Sequence, residues 1–309
     1  MNNDLSNIKK AIKYLNNDQC VAIPTETVYG LAANAYSDKA TSKIYKLKKR
    51  PKKNPLIVHY YNLDKLNKDC EFDKQFLKLY SKFCPGPITF ILKLKKTSNI
   101  SKNVTNKNQT LAVRFPNHKL TRRLLKYLKY PLAAPSANIS KGISAISRSD
   151  VLDEFGKKIK FILDGGPSKK GLESTIVSLV GKQKILRLGS LEKNKIEKFL
   201  IKNKDDNKNK IIVPGQGKIH YSPGIPIRLN IEKPKKSEAY LVISKKKITN
   251  KNYFYLSKSK NLNEVAKNLY KTLRIVKKMS YKSISVERIP NKGIGETIND
   301  RLMRASKKK

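Results

Sequence analysis

The chain has little cysteine, little acid and little arginine, and each shortage narrows what it can be. Its three cysteines, Cys20, Cys70 and Cys84, are an odd number, lie far apart and form no CxxC pair. That spacing argues against a disulfide framework and against a zinc site, and leaves buried or incidental thiols. No apolar run approaches the roughly 20 residues that a membrane span requires. The amino terminus, MNNDLSNIKKAIKYLNN, places Leu5, Ile8, Ile12 and Leu15 at helical spacing among acidic and amide residues, unlike the unbroken apolar stretch of a signal peptide. A globular, cytoplasmic chain without a membrane partner is the expectation. GxxxxGK[ST] and HExxH are absent, so neither a P-loop nor a dedicated metal centre is expected.

Acid is outnumbered by base, 23 Asp and Glu against 68 Lys and Arg, for a formal charge of +45 over 309 residues. Such an excess draws phosphate backbones. Here, however, the lysines run the whole length beside abundant Asn and Ile, the pattern of an AT-rich coding sequence. No aromatic-basic recognition motif accompanies them, so a general bias outweighs a nucleic-acid footprint and at most weak, nonspecific RNA affinity is expected. Only 11 of the basic residues are arginine. A guanidinium offers a planar fork that matches carboxylate or phosphate in two-point contact, which makes each retained arginine a candidate ligand. Arg50 precedes PLIVHY, Arg114 lies in LAVRF and Arg187 in KILRLGS, so all three stand at strand-like runs that can share a cleft.

What is present between residues 20 and 190 is an alternation of β-branched runs (CVAI, PLIVHY, ITFILKL, LAVRF, KFILDG, STIVSLV, KILRL) with helical stretches such as SDKATSKIYKLKK and LTRRLLKYLKY. This predicts an α/β domain with a sizeable sheet, spanning 1–203. Periodicity then fails across 204–237, where Pro, Gly, Asn and Lys gather as in a linker. From 238 to 309 the runs AYLVIS, NYFYLS and SISVERI, with helices around NLNEVAKNLYKTLRIVKKM and ETINDRLMRAS, predict a small α/β domain.

Four clusters carry chemistry. PTETVYGL supplies Thr27; in isolation it suits a strand-to-helix turn with hydroxyl caps. KLKKRPKKNPLIVH supplies Lys48, Arg50, Asn54 and His59, with Lys48 and Arg50 on one side of an extended segment, as gripping a polyanion requires. TLAVRFP and LAAPSANISKGISA supply Thr110, Arg114, Ala134, Ser136, Asn138 and Ser144, where small residues around a Pro-Ser turn admit a ligand close to the backbone. DGGPSKKGLESTIVSL and KILRLGS supply Ser174 and Arg187. His118 lies outside every cluster and is expected on an exposed loop; His220 is expected to order the linker beside Tyr221, and Glu26 to cap a turn.

In this order and spacing the clusters resemble the YrdC-like threonylcarbamoyl-AMP synthases. KIHYSPGIPIRL, AKNLYKTLR and GIGETINDRLMRAS extend the resemblance to the long, two-domain form over nearly the whole chain. The resemblance implies a YrdC-like twisted mixed sheet with flanking helices forming a concave cleft, plus a small Rossmann-like carboxy-terminal α/β domain. It implies condensation of L-threonine, bicarbonate or CO2, and ATP, with Mg2+ on the nucleotide, for a downstream tRNA threonylcarbamoyl transferase complex. It assigns threonine to Thr27, His59, Arg114, Ala134 and Ser174. The nucleotide falls to Arg50, Asn54, Thr110, Ser136, Ser144, Arg187 and Tyr221, with Lys48 and Arg50 catalytic and the linker folding over the site. One departure is Lys49, where the family often has glycine. A competing reading is an RNA-binding or ribosome-maturation protein using the basic cleft; a carbamoyl-adenylating domain of hydrogenase maturation is disfavoured because the chain has no CxxC.

Overall fold

Period-two patterning between residues 20 and 190 becomes one ten-stranded mixed sheet in the computed structural model, which describes residues 2–201, 220–247 and 250–307. Its strands are β1 (Val21–Ile23), β2 (Gly30–Asn34), β3 (Ile57–His59), β4 (Cys70–Glu71), β5 (Ile88–Leu94), β6 (Thr110–Arg114), β7 (Leu132–Ala133), β8 (Phe161–Ile162), β9 (Thr175–Ser178) and β10 (Lys184–Arg187). They are ordered β10-β9-β5-β6-β3-β7-β2-β1-β8, with β4 paired to β5. Each expected β-branched run forms a strand. PTETVYGL does not open a helix: it joins β1 to the antiparallel β2, whose sequence GLAAN carries no β-branched signal.

Alternation along the central strands builds two faces. Val58, Phe90, Leu92, Leu111, Val113 and Val177 point to one, where helices Asp38–Lys48, Lys74–Phe83 and Arg148–Phe155 cover them with Ile44, Phe76, Leu79 and Phe155. The other face of the same strands carries a thin apolar floor of Ile57, Ile91, Ala112 and Ile176. Two residues further along each strand, all toward the same end of the sheet, stand His59, Thr89, Arg114 and Ser174. The register confirms the row, since His59 and Thr89 both oppose Arg114. Sequence alternation and register alone thus place a line of polar side chains at one end of an apolar floor.

The second sheet is wholly parallel and ordered β11-β14-β12-β13, from β11 (Ile227–Arg228), β12 (Glu238–Val242), β13 (Tyr253–Tyr255) and β14 (Ser283–Val286). Helices Leu262–Lys277 and Ile294–Ser306 pack on it through Leu269, Leu273, Ile298 and Leu302. This is the expected Rossmann-like unit. Its strand β11 comes from inside 204–237, so that stretch is not linker throughout; Ile227 is drawn in by its apolar side chain, 7% exposed in the second core. Residues 204–219 of the expected linker lie outside the described residues. The second core also takes Val28, Ile143, Ile146 and Leu172 from the first domain, so one apolar cluster spans both.

Candidate functional site

A cavity of about 40 Å3 opens at the polar end of the floor. Arg50, His59, Arg114, Ala134, Ser136, Ser174, Arg187 and Tyr221 line it, so most of the expected site residues converge. Arg50 reaches in from the loop after helix Asp38–Lys48, braced by donating Nε to the Asn54 carbonyl (3.1 Å) and Nη2 to the Pro55 carbonyl (2.9 Å). Arg187, ending β10, donates Nη2 to the Ser174 carbonyl at 2.8 Å. The Ser174 hydroxyl sits 2.7 Å from that of Thr89. Gly189 lets this corner close: a Cβ there would stand 2.3 Å from the Ser174 carbonyl carbon.

Arg114 donates Nη2 to Glu26 Oε1 at 2.8 Å, and Glu26 also accepts from the Asn117 backbone N–H at 3.0 Å. Glu26 therefore does more than cap a turn; it orients Arg114 and compensates its charge. Arg114 Nε, buried, has no partner, and neither do His59 Nδ1, His220 Nδ1 or the Tyr221 hydroxyl. Buried polar atoms are nearly always bonded, so four orphans on the residues of one pocket mark a place for a polar ligand. Burial, reinforced by Arg114, holds His59 well below 6.5 and hence neutral.

The remaining expected residues stand elsewhere. Thr27 is fully buried behind the lining, its hydroxyl 2.8 Å from Thr25, which does line the pocket. Asn54 contributes its carbonyl to Arg50 and to the Tyr45 hydroxyl rather than a lining side chain. Ser144 is buried and donates to Glu173 Oε1 at 2.5 Å. Thr110 shares the face of Arg114 but begins β6 four residues away, about 13 Å along a strand, outside the cavity.

Lys48 corrects the expectation of an extended Lys-x-Arg grip. The helix runs on to Lys48, and Lys49 ends it in the left-handed region (φ 48°, ψ 43°), so the two cations do not stand on one side of an extended segment. Lys48 is 1% exposed, and its ammonium donates to the carbonyls of Ser136 (2.5 Å) and Asn138 (2.6 Å). It holds the Pro-Ser turn from behind. His118 likewise is not an exposed loop residue: it is half-buried at the start of helix Lys119–Tyr127, with Nε2 3.4 Å from the Gly165 carbonyl.

Several lining residues escaped the sequence reading. His220 lines the cavity with its ring 4.1 Å from that of Tyr221. Glu173 lines it too; burial alone would raise its carboxyl, but Arg301, Arg187 and Ser144 hold it near 2. Tyr270 and Arg301, from the second domain, bond Glu173. The available signal was Arg301 itself, an arginine in a lysine-saturated chain.

An arginine-rich pocket on the open face of a mixed sheet, closed by residues leading into a second domain, is the build of a two-domain α/β enzyme. Comparison with known proteins makes this particular. Residues 13–189 match the family described as "Telomere recombination", and residues 191–307 match the "Threonylcarbamoyl-AMP synthase, C-terminal domain". The threonylcarbamoyl-AMP synthase of Pyrococcus abyssi is 33% identical over 97% of this chain and 94% of its own. That of Bacillus subtilis is 33% identical over 97% and 92%. The crystal structure of P. abyssi Sua5 complexed with L-threonine superposes with a TM-score of 0.86, at 32% identity over 97% of this chain and 94% of that one. The chain belongs to the threonylcarbamoyl-AMP synthase family, in its long two-domain form.

Proposed function

We propose that the chain condenses L-threonine, bicarbonate or CO2, and ATP into threonylcarbamoyl-AMP and pyrophosphate, feeding the transferase complex that modifies tRNA. The observation that carries this is the set of four orphaned polar atoms on the lining of a pocket that also holds Arg50, Arg114 and Arg187. The threonine-bound relative supports the amino-acid half of the reading.

Arg114 presents Nε to the threonine carboxylate, with its other arm fixed by Glu26. Neutral His59 and the Ser174 hydroxyl serve the amine and side-chain hydroxyl. The amine adds to the carbon of CO2, losing a proton, and gives the carbamate. A carbamate oxygen then attacks the α-phosphorus; the new O–P bond forms as the bond to the bridging oxygen breaks and pyrophosphate departs with that electron pair. Arg50 and Arg187, both on the lining, are the cations assigned to the phosphate charge, so catalysis rests on positioning and fixed cations. Magnesium would arrive on the polyphosphate. Among the described residues no group of three His, Cys, Asp or Glu is placed to hold an ion, and Glu173 is engaged by Ser144, Tyr270 and Arg301.

The cavity is far smaller than the roughly 300 Å3 of ordinary small-molecule sites. On this reading His220 and Tyr221, which lead into the second domain, shift to admit ATP, and their return excludes water from a hydrolysable adenylate.

Pyrophosphate release with L-threonine, L-serine, L-valine or no amino acid tests the reading. A site that bonds the hydroxyl rejects valine by roughly four orders of magnitude, whereas serine, lacking a methyl, loses about 1 to 3 kcal/mol. Arg50→Ala is expected to abolish threonine-dependent release. Equal turnover of valine and threonine contradicts the assigned pocket.

A further inference from the structure

One carboxylate on the pocket wall is held from the other domain. Glu173 accepts from the Ser144 hydroxyl (2.5 Å) on its own domain, and from the Tyr270 hydroxyl (3.0 and 3.1 Å) and Arg301 Nε (3.0 Å) on the second. Arg301 is 1% exposed and Tyr270 fully buried, so neither side chain answers to solvent. The same two residues grip the ring of Tyr221. Tyr270 stacks on it at 5.8 Å and 19°, and the Arg301 guanidinium lies 4.8 Å from its centroid. Tyr221 carries a left-handed backbone (φ 65°), which a bulky residue keeps only where its surroundings hold it. Arg301 Nη2 further donates to the Leu188 carbonyl at 2.6 Å, next to Arg187.

We infer that Tyr270 and Arg301 are positioning residues for the catalytic pocket, through which the carboxy-terminal domain sets both Glu173 on the wall and the Tyr221 ring that closes it. The inference rests on the proposed reading of the pocket as a nucleotide site. Its physical content is charge and shape together. A carboxylate facing a polyphosphate repels it unless compensated, and Arg301, with Arg187 beside it, supplies most of that compensation while its face fixes Tyr221. Glu173 also holds the Ser144 hydroxyl, so the hydroxyl assigned to the nucleotide follows the position of the second domain.

Steady-state kinetics on the full-length chain test this with Arg301→Met, Tyr270→Phe, Glu173→Gln and the double variant Arg301→Met/Glu173→Gln. Arg301→Met is expected to raise the ATP KM by roughly five- to thirtyfold, the span of moderate couplings, with the threonine KM within about twofold. Adding Glu173→Gln removes the uncompensated charge and recovers most of that loss, a coupling that independent sites do not show. Tyr270→Phe keeps the ring stack and loses only the donor, so it shifts the ATP KM in the same direction and decides the matter if Arg301→Met does not fold. A drop in thermal stability with both KM values unchanged, or strictly multiplicative effects in the double variant, overturns the inference. Hydrogen exchange at the peptide bearing Tyr221, measured without substrate, separates this from the proposed function. It is expected to accelerate at least about tenfold in Arg301→Met whether or not pyrophosphate is released, and unchanged exchange overturns the positioning role.

Discussion

Arg114 and His59 show how a single residue acquires its role from its strand. Each ends a parallel strand, each opposes the other in register, and each keeps one buried nitrogen without a partner. Both were legible in the sequence because they follow short apolar runs. Lys48 was not, because its reading depended on where a helix stops, and no local pattern marks that residue as the last turn. Arg301 was legible only as one of eleven arginines: nothing local on its amphipathic helix singles it out, and only the tertiary fold buries it. The three thiols stand outside the chemistry; burial pushes Cys20 and Cys84 up to about 12. Two buried imidazoles give a pH dependence. Burial holds His59 well below 6.5 and His220 at about 3, whereas in the unfolded chain both bind protons below about pH 6.5. Unfolding therefore takes up protons, and stability falls as pH drops through 6.5 toward 3, by up to roughly 1.4 kcal/mol per pH unit for each group. Glu173 adds to the loss below about 4.5, since its folded value is near 2. Thermal unfolding between pH 7 and 4 should show a steadily falling midpoint; a flat midpoint down to pH 5 contradicts neutral burial of the pair.

At the scale of elements, the long β-branched strands and the amphipathic helices were readable, whereas β2 and β7 were not. β2 is GLAAN and β7 is two residues long, so neither offers the alternation by which a strand is recognised; their pairing with β1 and β3 specifies them instead. The PTETVYG segment was misread for the same reason, since its continuation looked like no strand. The end of helix Asp38–Lys48 carries a measurable strain. Lys49 is exposed, sits at φ 48°, and receives the termination usually given to glycine. A non-glycine residue there costs about 1 to 2 kcal/mol, partly offset by the greater unfolded freedom of glycine. Lys49→Gly is therefore expected to stabilise the chain by a few tenths to about 1 kcal/mol in denaturant melts with the m-value unchanged. Destabilisation would show that the lysine side chain contributes something its exposed position does not reveal.

Over the whole molecule, composition predicted two α/β units, and the structure adds that they are not independent. Their shared core, the Arg274 bonds to the Ile143 carbonyl (2.5 Å) and Glu154 (3.0 Å), and Arg301 on Glu173 tie the second domain to the pocket wall. Such a joint was invisible in sequence because its contacts span more than a hundred residues. Gly171 (φ 75°) lies tight against the second domain, where a Cβ would lie 2.7 Å from the Lys267 Cα. Gly171→Ala should loosen the docked pair, lowering the unfolding midpoint and opening the interface to protease; an unchanged midpoint would mean the two backbones separate without loss. In the proposed reaction the pocket joins three substrates in one product. Incorporation of labelled bicarbonate into a nucleotide product, resolved chromatographically, tests it most directly. Label is expected in an adenylate only when L-threonine and ATP are both present, with one pyrophosphate released per label. Pyrophosphate released without incorporation, or label incorporated without threonine, would contradict it.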